Sequence, residues 1–104
     1  MAFFLEVNMA KITLGLQLIP CVEEGRLYEV IDEVISYIAS LGIKYEVGAM
    51  ETTMEGEIDE LLAIVKKAQE ICIGLGATRV ISSVKIDYKK TGVTIDEKVG
   101  KYRG

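Results

Sequence analysis

Residues 45–57 of this 104-residue chain, Tyr-Glu-Val-Gly-Ala-Met-Glu-Thr-Thr-Met-Glu-Gly-Glu, gather side chains that could do chemistry. Thr52 and Thr53 bring hydroxyls, Glu51, Glu55 and Glu57 bring carboxylates, and Met50 and Met54 bring thioethers. Hydroxyls both donate and accept hydrogen bonds, carboxylates accept them, and thioethers adapt to irregular apolar surfaces. The same residues have a plainer use, because a Thr or Glu just ahead of a helix can cap it, worth about 1 kcal/mol. A second polar group, Ser82, Ser83, Lys85 and Asp87, interrupts an otherwise apolar stretch. A strand Ser commonly bonds to nearby backbone, and its other use is to bind a ligand from the sheet surface. Lys85 and Asp87, two apart, would share a strand face as an ion pair of little energetic weight if exposed.

The chemistry available is narrow. The chain has no His, which removes the commonest general base and metal ligand. A Ser or Cys nucleophile would have only Lys85 or a carboxylate to activate it, so an enzyme is not expected. Cys21 and Cys72 are far apart with no CxxC pattern, which predicts two free thiols in a reducing compartment and no metal site. A net charge of −4 opposes phosphate-backbone binding, so nucleic acid is not an expected partner.

The elements that must position these groups follow from periodicity. Residues 11–19 alternate, with Ile12, Leu14, Leu16 and Leu18 on one face and Thr13, Gly15, Gln17 and Ile19 on the other, and Pro20 ends the strand. Glu23-Glu24-Gly25 opens a helix whose inner stripe is Leu27, Val30, Ile31, Val34, Ile35, Ile38 and Leu41, stopped at Gly42. Residues 44–49 form a second strand with Tyr45 and Val47 on the core face, and residues 51–54 form a third. A second helix follows Gly56, with an acidic start suited to its dipole and Ile58, Leu61, Leu62, Val65, Ala68, Cys72 and Leu75 facing inward. Residues 78–88 give a fourth strand, Lys89 to Gly92 a turn, and residues 93–102 a short edge element and a final helical turn.

The order is βαββαβ: an α+β, ferredoxin-like sandwich with two helices on one face of a four-stranded antiparallel sheet. Residues 10–104 read as one such domain. Residues 1–9 read as an N-terminal extension too short for a signal peptide, with Met9 an alternative start. No run is long enough to span a membrane, and a cytoplasmic protein is expected. The uncovered sheet face carries Gly15, Ile19 and Ile81 among few charges, so a second subunit is expected to cover it. Two relatives of the architecture do not fit: an RNA-recognition module needs exposed strand aromatics and positive charge, and a metallochaperone needs paired cysteines.

Segment 45–57, with Glu24-Gly25-Arg26-Leu27, Glu29-Val30-Ile31-Asp32, Lys85-Ile86-Asp87-Tyr88 and Glu97-Lys98-Val99, resembles the thiamine-binding protein family. That resemblance covers most of residues 10–103. It implies a cytosolic, non-catalytic protein that holds thiamine or its hydroxymethylpyrimidine fragment as a ligand, with no cofactor. It also implies homo-oligomers, dimers or tetramers, with subunits meeting through their sheets and sites near the interface. The ligand-binding positions it implies are Met50, Thr52, Thr53, Glu55, Ser83 and Asp87. An aminopyrimidine, with an amine donor beside ring-nitrogen acceptors, suits hydroxyl and carboxylate partners, and thiamine's thiazolium cation suits Glu51, Glu55 and Glu57. The alternative is a sensing or scaffold oligomer that takes another small molecule, such as an amino acid.

Overall fold

The structure, a computed structural model, describes residues 10–103. The expected N-terminal extension and the alternative start at Met9 lie outside the described residues. The chain runs β1 (Ile12–Pro20), a single 3-10 turn (Glu24–Arg26), α1 (Leu27–Ala39), β2 (Lys44–Val47), β3 (Thr52–Gly56), α2 (Ile58–Gly74), β4 (Val80–Asp87) and α3 (Ile95–Arg103). The strands form one sheet in the order β2-β3-β1-β4, with every neighbouring pair antiparallel. This is the ferredoxin-like α+β arrangement expected from the βαββαβ order.

The helix-side face carries the core. Ile12, Leu14 and Leu16 of β1 and Met54 of β3 are buried against Val30, Val34 and Ile38 of α1 and Leu61, Ile64, Ala68 and Cys72 of α2. Three expected core positions are exposed instead. Leu62 is 45% exposed, and Ile64 takes the place, because the buried stripe of α2 steps through 61, 64, 68 and 72 at helical spacing. Val47 is 50% exposed because it is the last residue of an edge strand. Leu41 lies past the end of α1 and is 39% exposed.

The other face is not left open. Where an edge element and one turn are expected over residues 93–102, Ile95–Arg103 instead form the two-turn helix α3. It lies against this face through contacts with Lys44, Glu46, Glu55 and Asp87. A reciprocal capping box starts it: Glu97 N donates to Thr94 Oγ1 at 3.1 Å, and Thr94 N donates to Glu97 Oε1 at 2.9 Å. One backbone bond, Val93 N to Lys11 O at 3.0 Å, ties its lead-in to the residue just before β1.

Candidate functional site

The strand register arranges the α3-side face in rows. One row runs Lys44, Glu55, Thr13, Asp87 across β2, β3, β1 and β4; the next runs Glu46, Thr53, Gly15, Lys85; beyond them β1 and β4 continue alone with Gln17 beside Ser83 and Ile19 beside Ile81. Helix α3 sits over the first row and reaches the second only at Glu46. The turn between β2 and β3 rises at the other side of the second row. Between helix and turn lies a cleft of about 550 Å³, floored by Thr13, Gly15, Thr53 and Lys85. Met50 and Ala49 of the turn and Val99 of α3 supply its apolar lining, whereas Ile86 of β4, opposite Leu14, turns its side chain to the other face.

Two glycines shape this cleft. Gly48 N donates to Glu51 O at 2.9 Å to close the turn, and a Cβ on Gly48 would come within 2.8 Å of that same carbonyl oxygen. The closed turn directs the Glu51 side chain down onto the sheet. Its Oε2 lies only 1.9 Å from where a Cβ on Gly15 would be, so the carboxylate rests on the bare backbone of β1. Its Oε1 meets Lys85 Nζ at 2.6 Å. Glu51 is therefore held on the floor, 28% exposed, while the Lys85 side chain is 75% exposed.

The residues implied by resemblance divide among several places. Thr53 and Asp87 line the cleft, and Met50 stands at its rim, 75% exposed. Glu55 lies on the same face, but its Oε1 accepts from Ile95 N at 2.8 Å and so caps α3. The capping expected at α2 is not observed, since no side chain bonds the start of that helix. Thr52 points to the helix side, between Leu16 and Val47, and lines a smaller apolar cleft beside α1. Ser83 is exposed on the α3-side face beside Gln17, outside the cleft. Its neighbour Ser82 turns inward and donates to Gln69 Oε1 of α2 at 2.6 Å.

The expected ion pair between Lys85 and Asp87 does not form. The two share a face, but Lys85 reaches sideways to Glu51, and Asp87 pairs with Lys98 of α3. Arg103 pairs with Glu46 and Lys44 with Asp96. A hydrogen bond from Arg103 to Glu46 raises the Arg103 pKa, and one from Lys44 to Asp96 raises that of Lys44. The cleft thus pairs Glu46, Glu51 and Asp87 with Arg103, Lys85 and Lys98, and its charges balance. Glu57 precedes α2 and does not join Glu51 in one acidic cluster.

The reading from residues alone missed the seat at Gly15, the pairing of Glu51 with Lys85, and all of α3 beyond a single turn. Thr94-Ile95-Asp96-Glu97 was the available signal for the helix, because Thr and Glu three apart are a capping box. The Glu51–Gly15 contact joins segments far apart in sequence and has no local signature. Among the described residues, no group of His, Cys, Asp and Glu could hold a metal ion, and no helix is long and apolar enough to cross a membrane.

Residues 14–103 match the family described as thiamine-binding protein. The chain belongs to that family. A UPF0045 protein of Clostridium perfringens is 73% identical over 89 residues, covering 86% of this chain and 94% of that protein. A UPF0045 protein of Methanocaldococcus jannaschii is 30% identical over 84 residues, covering 81% of this chain and 83% of that one. Among solved structures, a Bacillus cereus domain of unknown function, DUF77, superposes with a TM-score of 0.85 at 48% identity, over 93% of this chain and 94% of its own. A Thermotoga maritima protein, described as a candidate for thiamine biosynthesis or salvage, superposes with a TM-score of 0.83 at 47% identity. That match spans 89% of this chain and 99% of the other. Segment 45–57, which resembles the family most closely, contributes both β3 and the turn that walls the cleft.

Proposed function

We propose that this member of the thiamine-binding family binds thiamine, through its hydroxymethylpyrimidine moiety, non-covalently in the cleft beneath α3, and catalyses no reaction. The observation that carries this reading is the composition of the cleft: polar groups on a flat sheet floor, with Met50, Ala49 and Val99 around them. A planar heteroaromatic ring needs both, polar partners at its edge and apolar walls on its faces. Of the positions implied by family resemblance, Met50, Thr53 and Asp87 are the cleft-lining ones, and Glu55 contributes by anchoring the helix above. Thr52 and Ser83 have no direct part in this reading.

The non-catalytic role is supported by the lack of His and by the pairing of each cleft carboxylate with a cation. The balanced charge favours the neutral pyrimidine ring over the thiazolium as the recognised part. It would also suit a zwitterionic amino acid, the alternative ligand. The same reading takes the protein as a cytoplasmic homo-oligomer, a dimer or tetramer. The strip that α3 leaves uncovered, with Ile19 and Ile81 each 46% exposed, is the surface offered to a second copy.

Titration calorimetry with thiamine, hydroxymethylpyrimidine and a panel of amino acids tests the ligand. Heat with the pyrimidine compounds and none with amino acids is expected, and the reverse would replace this reading by the alternative. Saturation at a hundred times the dissociation constant should also add about 2.7 kcal/mol of stability. Light scattering of the parent and of Ile81→Asp tests the assembly. A monomeric parent at micromolar concentration would end the oligomer reading.

A further inference from the structure

Resting on that reading, we infer that Glu51 and Lys85 together read the edge of the pyrimidine, accepting from its amine and donating to the adjacent ring nitrogen. A ring that carries an amine beside a ring nitrogen presents a donor and an acceptor side by side. Proteins that read adenine meet the same pattern with one Asn or Gln amide, which offers an acceptor and a donor at matching spacing. No Asn or Gln lines this cleft. The Glu51 carboxylate and the Lys85 ammonium, 2.6 Å apart, offer the same acceptor and donor in its place.

Three observations single out this pair. The other two ion pairs lining the cleft, Lys98 with Asp87 and Arg103 with Glu46, fasten α3 to the sheet. Turning either toward a ligand would loosen the helix that forms the wall. The Glu51–Lys85 pair joins the turn to β4 and holds no part of α3, so it can open toward a ligand without loosening the site. The second observation is the bare backbone at Gly15, which seats the acceptor: any side chain there would evict the Glu51 carboxylate. The third is the asymmetry of the pair. The acceptor is largely covered and fixed, while the donor stands on an exposed arm that can swing to meet a ring nitrogen.

The pair also sets specificity. A pyrimidine with an oxo group in place of the amine presents an acceptor where Glu51 needs a donor, and an N–H where Lys85 needs an acceptor. Both contacts then become repulsive or unmade.

Calorimetry with hydroxymethylpyrimidine and with its 4-oxo analogue, on the parent, Gly15→Ala, Glu51→Gln and Lys85→Met, tests the inference. Gly15→Ala should weaken pyrimidine binding by roughly ten- to a hundredfold, as expected for a lost charged hydrogen bond. Lys85→Met and Glu51→Gln should each weaken it by about tenfold or more, and the parent should discriminate against the oxo analogue by at least as much. Glu29→Gln, on the far surface pair with Arg26, should bind as the parent does. Melting curves check the fold; Lys85 is exposed, and at Gly15 the obstructed atom is the end of a flexible side chain. If Gly15→Ala does not fold, Lys85→Met and the analogue decide. A parent that binds hydroxymethylpyrimidine while all three variants match it, or while the oxo analogue binds equally, overturns this pair and leaves the proposed function standing. A parent that binds no pyrimidine overturns both.

Discussion

The two sides of the sheet are closed by different forces. On one side α1 and α2 bury Val30, Val34, Ile38, Leu61, Ile64, Ala68 and Cys72 against Ile12, Leu14, Leu16 and Met54. On the other, α3 buries Ile95 alone and is otherwise fastened by a capped N-terminus and three ion pairs. Apolar burial is dense, non-directional and almost indifferent to salt. Exposed ion pairs are weak one by one and are screened by salt. The comparison teaches that the fold's stability and the cleft's integrity are separable, since the first rests on the α1–α2 side and the second on α3.

The largest test attacks the apolar side. Leu61→Ala removes a fully buried side chain beneath β1 and β3, and denaturant unfolding should show a loss of about 2–5 kcal/mol. A loss below about 1 kcal/mol would break the claim that this side carries the stability. Next comes the one buried-side tether of α3. Glu55→Ala removes the acceptor at Ile95 N and should cost about 1 kcal/mol, with faster amide exchange confined to α3. Exchange that rises equally in α1 and α2 would show that the two sides are not separable after all.

A smaller effect is expected from Arg103→Met and, independently, from raising salt to about 1 M, where the screening length falls to about 3 Å. Both should speed exchange in the last turn of α3 and leave the melting temperature nearly unchanged. The smallest effect concerns the thiols. Burial pushes the Cys72 pKa above its ordinary 9.0, so its neutral form is the one the fold favours. A raised value in the folded state means that stability is intact below pH 9.0 and declines as pH rises through the folded value. Urea unfolding of the parent between pH 8 and 10.5 should show that decline, and Cys72→Ala should flatten it. Cys21, exposed, should react with a thiol reagent in the native protein, while Cys72 should react only on unfolding.

These residues also show what was legible in the sequence. The α1–α2 side was, because apolar periodicity is a local property: Ile12, Leu14 and Leu16 at every second position and Val30, Val34 and Ile38 at helical spacing are written directly in the chain. Leu62 misled because it is as apolar as Ile64, and only the exact phase of the helix separates them. The cleft was legible only in part. Thr53 and Asp87 lie where strand alternation puts them, but the partners of Lys85 and Asp87 depend on where a turn and a terminal helix come to rest. Glu51 pairs with Lys85, 34 positions on, and no local pattern encodes that. The short helix α3 is polar on most of its surface, which hides it from any search for an apolar stripe.

Helix α3 is fastened unevenly along its length. Near Ile95 it has a backbone bond to Lys11 just before β1, the Glu55 cap, the Thr94–Glu97 box and the Lys44–Asp96 pair; Lys98 pairs with Asp87 midway, and at the far end Arg103 pairs with Glu46. Mechanically it is a beam clamped at one end and lightly latched at the other. Any outward swing of α3 is therefore hinged near Ile95 and widest at Arg103, the end that stands over the Glu46 side of the cleft.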